Sequence, residues 1–347
     1  MTRPDLDFRR PPALEATAPP EARGLRRDGV RLLITGRNAS THHHFRDLPS
    51  VLTPGDLLVV NESATLPASL ATRGPTGDVL LNLSTRYAEA VWLAEPRWGV
   101  GIPGPVPREA VAELRSGTVR FHPIAPYPGI PRLWFFRSEG NVLRAMASRG
   151  RPIRYGYLSR SYDLPSYQTI FSRVPGSAEM PSAGRPFTRS VLRALERRGV
   201  GVATIVLHTG VSSLESDPGR TAMPPVYPEP FAVPTATADA VNRARERGHR
   251  VVAVGTTVLR ALETAWDGCR VVARRGFTQL TLGPDRPAHS ADGLITGFHD
   301  PRTSHLALLF GFAGAERIRS AYSEAVQKRY LWHEFGDSQL VWAGAAG

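Results

Sequence analysis

A chain of 347 residues can build two domains with at least one sizeable core, and an apolar share of 41% excludes wholesale disorder. The net charge is +12, yet only one of the 43 basic residues is a lysine, Lys328; so arginine-rich a composition permits contact with RNA phosphates without demanding it. The single cysteine, Cys269, excludes an intramolecular disulfide and any multi-cysteine zinc or iron–sulfur site.

The segment up to about Pro20 is polar and Pro-rich and reads as a loosely held arm without an apolar leader. No later run approaches the ~20 apolar residues of a membrane span, so a cytoplasmic protein with no membrane contact is expected. Val30-Arg31-Leu32-Leu33-Ile34 is a short apolar run ended by Gly36. His42-His43-His44 reads as a solvated loop, because consecutive side chains diverge and no acidic or histidine pattern completes a ligand set. Leu57-Leu58-Val59-Val60 follows the Pro54-Gly55-Asp56 turn, which predicts a buried strand ending at Asn61.

From about Glu62 to Tyr157 the texture changes. β-Prone runs at 79–81, 90–93, 118–121 and 133–136 alternate with Gly and Pro, the spacing of a small antiparallel barrel or sandwich. With α/β texture on both sides, 62–157 is expected as an insertion into one α/β domain built from 1–61 and 158–347. Beyond Tyr167, helix and strand alternate. Thr188 is placed to cap a helix over Arg189 to Arg198, and Val202 to Leu207 is a strand. Thr235 or Thr237 opens a helix running to Gly248, and Val251 to Val254 is the next strand. Thr257 is placed to cap a helix from Val258 to Trp266. Leu294-Ile295-Thr296 is a short strand, and Ala313 to Tyr330 a C-terminal helix.

Four apolar runs end in small or polar residues: at Asn61, at His208-Thr209-Gly210, at Gly255-Thr256-Thr257 and at Gly297-Phe298-His299. Ligands of open α/β sheets bind beyond the carboxyl ends of the strands, so these ends are expected around one cleft. Gly255 permits close backbone approach, and Thr256, Thr257 and free amides offer donors to a carboxylate or hydroxyls; the bland reading is a capped turn. Arg260 and Glu263, three apart on one helix, either reach the cleft or form a surface ion pair. His208 and His299 are candidates for base or acid, against structural hydrogen bonding. Glu229 and Asp292 are acid candidates with no spacing argument. Neither a Walker lysine pattern nor a G-x-G-x-x-G fingerprint is present.

The order and wording of the segments go further. His42-x-x-Phe45-x-Asp47-Leu48, PGDLLVVNES, LPASL, the passage PIRYGYLSRSYDLPSYQTIFSRVPGSAEMPSAGRPFT, VLHTG, RGHRVVAVGTTVLRALE, FTQL, DGLITGFHDPRTSHLALLFGFAG and AYSEAVQKRY…FGDSQLV follow one another in register. From about residue 25 to 342 the chain resembles the S-adenosylmethionine:tRNA ribosyltransferase-isomerases of queuosine synthesis. The resemblance implies a large α/β domain interrupted by a smaller β-barrel. It also implies transfer and isomerisation of the ribosyl unit of S-adenosylmethionine to 7-aminomethyl-7-deazaguanine in tRNA. The product is epoxyqueuosine; adenine and methionine are released, and no metal takes part. With the reading above it assigns the donor to Gly255, Thr256, Thr257, Arg260, Glu263 and Phe298, and the acceptor to Asn61, Tyr167, Gln168, Ser182, Gly184 and Phe187. Catalysis falls to His208, His299, Glu229 and Asp292, in a protein expected to be a monomer. Departures from the family pattern lie on the acceptor side. Ala64 and Ser69 replace two arginines, Arg185-Pro186 stands before Phe187 in place of Leu-His, and Pro225-Val226-Tyr227-Pro228-Glu229 replaces a His-x-Met-His-x-Glu segment. They open an alternative, a small-molecule acceptor such as a free 7-deazapurine; a catalytically weakened RNA-binding relative is a third.

Overall fold

β-Branched apolar runs build the centre of the molecule, described here from a computed structural model over residues 7–36, 39–99, 106–211 and 226–344. In chain order the strands are β1 Arg31–Thr35, β2 Ser40–His44, β3 Leu57–Asn61, β4 Ser63–Thr65, β5 Ser69–Gly74, β6 Gly77–Ala88, β7 Val91–Arg97, β8 Leu114–Ser116 and β9 Val119–Tyr127. They continue with β10 Ile130–Glu139, β11 Val174–Ser177, β12 Gly201–Leu207, β13 Glu229–Val233, β14 Val251–Val254, β15 Arg274–Thr278, β16 Gly293–Gly297 and β17 Ser338–Trp342. The α-helices are α1 Leu48–Val51, α2 Val142–Arg149, α3 Arg189–Arg197, α4 Thr235–Glu246, α5 Thr256–Thr264, α6 Ser304–Ala313 and α7 Ala315–Gln327.

Nine strands form one sheet in the order β15-β13-β12-β3-β14-β16-β17-β1-β2. Its centre, β12-β3-β14-β16, is parallel throughout. Both faces of β3, β14 and β16 are covered, which explains why these strands read as unbroken apolar runs rather than alternating ones; β12 is buried only towards its carboxyl end. Leu57 and Val59 of β3 turn to a core shared with Val241 of α4, Leu259 and Leu262 of α5, and Leu309 and Ile318 of α6 and α7. Leu58 and Val60 turn the other way, to Leu48 of α1 and Val191 and Leu195 of α3.

Between β4 and β11, six strands close into a barrel in the order β10-β7-β6-β5-β8-β9. Leu70, Val79, Leu81, Trp92, Phe121 and Phe136 fill it. The fold is thus α/β with a smaller closed barrel. Helix α2 packs beside the barrel, its first turn capped where the Asn141 side chain accepts from the Arg144 amide at 2.9 Å.

Several expectations need correction. Residues 7–20 are not a loose arm. Leu14 is 2% exposed and Ala16 1%, Trp332 N–H donates to Leu14 O at 2.8 Å, and Arg10 bridges Glu15 and Asp300. The apolar pair at 14 and 16 gives the segment a purchase that its proline content hides. His42 to His44 belong to an edge strand; the His42 ring lies 2.8 Å from the Tyr330 hydroxyl and 2.7 Å from Glu324. Thr188 caps α3 as expected, accepting from Val191 N–H. Thr257 and Thr235 do not act as caps, since α5 starts after Gly255 and α4 after Pro234 without side-chain capping. The C-terminal helix stands as α7, and an unanticipated helix, α6, precedes it across Gly314 at φ 89°.

Candidate active site

Because β12, β3, β14 and β16 run parallel and adjacent, their carboxyl ends stand side by side at one edge of the sheet. Asn61 ties two of them: its amide donates to Leu207 O at 2.8 Å and its carbonyl accepts from Leu207 N–H at 3.1 Å. The same side chain reaches Thr257 Oγ1 at 3.4 Å, so β14's exit joins the set. The Gly255 amide donates to Ile295 O at 2.8 Å, bringing in β16.

His208 follows β12. Its Nδ1 lies 2.8 Å from Ser63 Oγ, which in turn lies 2.6 Å from Ser177 Oγ. A side chain at Gly176 would begin 2.4 Å from the imidazole, so glycine lets β11 pass across the ring face. Burial lowers the His208 pKa and keeps the ring neutral near pH 7. His299 lies beyond β16. Thr296 Oγ1 meets its Nε2 at 2.9 Å, the Tyr322 hydroxyl accepts its amide, and Trp332 Nε1 donates to its carbonyl. Burial, then the neighbouring His305 and His333, hold its pKa well down. The His305 ring stacks on it, centroids 4.9 Å apart, and burial followed by the Arg260 charge pushes His305 down to about 4.

Arg260 pairs internally with Glu229, at 2.5 Å and with 13% and 5% exposure, rather than at the surface with Glu263. Glu229 also accepts from the Gly210 amide, which fastens the end of β12 to β13. Arg260 Nε donates to Leu280 O, while its Nη2 is buried without a hydrogen-bond partner among the described residues. Thr209 Oγ1, beside Gly210, is orphaned likewise. Unsatisfied buried donors are rare in native proteins, and here they lie at the strand ends, where a ligand's acceptors would meet them.

Not every expected residue joins this group. Asp292 is corrected: its carboxylate accepts from Val251 N–H at 2.8 Å, at the start of β14 and therefore at the opposite edge of the sheet. Glu263 accepts from the His289 and Ser290 amides and anchors a loop rather than facing a ligand. Phe298 is 2% exposed and packs among Tyr322, Tyr330 and Trp332; Phe187 is 1% exposed between Phe45 and Phe171. Both rings are core. Gln168 clasps the backbone of Thr65 from both sides, at 3.0 and 2.8 Å, and the buried Tyr167 supplies its carbonyl to Thr65 Oγ1. The turn Ser182–Gly184 lies over the start of α5, since a side chain at Gly255 would begin 3.4 Å from Ala183 Cβ. Thr256 and Thr257, 7% and 9% exposed, sit beneath it. His305 and Ser63 were missed by sequence reading: His305 falls in an unbroken apolar helix with no period to flag it, and Ser63 is one small polar residue among many. Among the described residues, no group of three or more His, Cys, Asp or Glu could hold a metal ion.

Comparison with known proteins agrees with this architecture. The S-adenosylmethionine:tRNA ribosyltransferase-isomerase of Rubrobacter xylanophilus is 38% identical over 356 aligned positions, covering 99% of this chain and 98% of that protein. The protein of the same name from Thermus thermophilus is 36% identical over 329, covering 91% and 93%. The crystal structure of S-adenosylmethionine tRNA ribosyltransferase from Thermotoga maritima superposes with a TM-score of 0.55 at 28% identity, covering 97% of this chain and all of that one. Residues 3–341 match the family described as "Queuosine biosynthesis protein", and the chain belongs to that family.

Proposed function

We propose that this protein transfers and isomerises the ribosyl unit of S-adenosylmethionine to 7-aminomethyl-7-deazaguanine in tRNA, yielding epoxyqueuosine and releasing adenine and methionine. The observation that carries the reading is the near-full-length identity to relatives of that name, on a chain whose four parallel strand ends meet at one edge. The chemistry is consistent with it. A sulfonium acidifies the adjacent C5′ hydrogen, and a neutral imidazole can accept that proton. Burial holds both His208 and His299 in that form. Arg260, with one orphaned nitrogen, is a natural partner for the donor's carboxylate, and the first amides of α5, at Thr256 and Thr257, lie at its positive end.

The same reading divides the chain into an α/β catalytic part, 1–61 and 158–347, and an inserted part, 62–157. The barrel strands between Ser69 and Glu139, with a separate core, support that division. It makes S-adenosylmethionine a co-substrate with no metal, and tRNA the partner of a monomeric cytoplasmic enzyme. No helix among the described residues is long and apolar enough to cross a membrane. One observation favours a free 7-deazapurine as acceptor instead: Ala64 and Ser69, small where the family pattern has arginines, are 9% and 5% exposed. Mass spectrometry of products from S-adenosylmethionine with tRNA bearing the deazaguanine, and with the free base, tests both. Adenine and methionine should appear with the tRNA; turnover with the free base alone would replace the tRNA by the small molecule.

A further inference from the structure

The segments 153–157 and 333–335 bring together polar groups that nothing above uses. His333, Tyr157 and Tyr155 form a continuous ring stack, His333 to Tyr157 at 4.2 Å and 13°, Tyr157 to Tyr155 at 5.5 Å and 5°. Burial, then the carboxyl groups of Glu179 and Glu334, hold the Tyr155 hydroxyl far above its ordinary pKa, and Glu334 follows His333 directly in the chain. Glu334 Oε2 and the Tyr157 hydroxyl are shut off from solvent, and neither has a hydrogen-bond partner among the described residues. Burial also pushes the Glu334 carboxyl up to about 7. The group is continuous with the strand edge: a side chain at Gly297 would begin 3.7 Å from His333 O, and the His333 ring bears on His299 electrostatically.

Buried polar groups without partners destabilise a fold, and two beside one ring stack call for an explanation. We propose that Glu334 and Tyr157 form a subsite for the edge of a purine-type heterocycle, walled by the His333–Tyr157–Tyr155 stack. A carboxyl presents a hydrogen-bonding pair matched to a ring nitrogen beside an exocyclic amine. Enzymes acting on bases read them by such edge bonds and aromatic walls. The inference rests on the proposed function, in which two bases of this class take part: the adenine of the donor and the deazaguanine of the acceptor.

The test measures binding of S-adenosylhomocysteine, a non-reacting adenosine probe, and of 7-aminomethyl-7-deazaguanine, free and in a tRNA stem–loop. Wild type is compared with Glu334→Leu, Glu334→Gln and Tyr157→Phe. Glu334→Leu should raise Tm, because an orphaned carboxyl is removed, yet weaken one probe at least tenfold. Glu334→Gln keeps a donor beside an acceptor and should retain most of the affinity for S-adenosylhomocysteine, whose adenine edge accepts and donates, but not for the deazaguanine, whose ring N–H and amine both donate. Tyr157→Phe should weaken several-fold the probe that Glu334→Leu weakens. Loss confined to S-adenosylhomocysteine assigns the subsite to adenine, and loss confined to the deazaguanine assigns it to the acceptor. Wild-type affinity for both probes in folded Glu334→Leu overturns the subsite. A wild-type protein that binds neither probe overturns the proposed function instead.

Discussion

Gly255 has φ 103° and ψ 150°, a region open essentially to glycine alone, and a side chain there would begin 3.3 Å from Thr257 Oγ1. Gly255→Ala should therefore cost about 1–3 kcal/mol of stability, the range for backbone strain of this kind. Denaturant midpoints would show it, and an unchanged midpoint would mean the turn relaxes freely. The sequence offered Gly255 as clearance for a ligand; with Ala183 lying over it, the glycine first answers a packing demand, and lost donor binding in a variant would need a folding control. The histidines of the site make a second residue-scale prediction. His208, His299, His305 and His333 all have pKa values lowered by burial, His305 to about 4. Below pH 6.5 the unfolded chain binds protons that the folded chain refuses, so stability is full above 6.5 and falls with pH towards the folded-state values. Denaturant midpoints should drop between pH 7 and 5, less steeply than four rings alone would give, because Glu334, raised to about 7, takes up its proton in the folded chain over the same range. His305→Leu should flatten that dependence; an unaltered slope would mean the ring is freely solvated.

At the scale of elements, legibility followed burial. Strands β3, β14 and β16 announced themselves because each is apolar on both faces and bounded by a turn or polar residue; β12 did so by composition, although Val202 is 46% exposed. Strand β15, Arg-Arg-Gly-Phe-Thr, did not, because an exposed edge strand carries no apolar pattern. Helix α6 escaped for the opposite reason: Leu306 to Phe310 are buried in succession, so there is no polar face to mark a period. For the site, strand ends gave Asn61, His208, Gly255 and His299, while Asp292 was drawn in by residue type alone and Glu263 by its spacing from Arg260, and both accept from backbone amides. The N-terminal segment shows what a single side chain does in an otherwise featureless stretch. Leu14 is 2% exposed in the core that also holds Trp332. Leu14→Ala should cost about 2–5 kcal/mol, as for other buried leucines, and lower Tm. A change under a few tenths would restore the loose-arm reading.

For the whole molecule the question is what the positive charge is for. The +12 balance is carried almost wholly by arginine, and a good part of it is spent internally. Arg185, 3% exposed on its side chain, is bound to Glu21; Arg260 to Glu229; Arg250 to Asp56, 1% exposed. Arg250 is held by a buried carboxylate, and Arg185 and Arg260 are buried and cannot meet a polyanion. Others are free to do so: Arg173 and Arg275 are exposed, the first leading into the strand that crosses His208, the second on the edge strand β15. If tRNA is the acceptor, binding must release counterions from several phosphates, and log K should fall linearly with log salt, by about 0.7–0.9 per phosphate neutralised. Raising salt from 50 to 200 mM should then cost at least tenfold in affinity for unmodified tRNA, with S-adenosylhomocysteine binding almost unchanged, because one small ligand displaces few ions. Fluorescence anisotropy of labelled tRNA across that range, with calorimetry for the small probe, separates the two. Arg173→Ala and Arg275→Ala should each lessen the slope if they contact phosphate and leave it alone if they do not. Affinity for tRNA that is indifferent to salt, or absent even at 50 mM, would remove the polyanion and leave a free base as the acceptor.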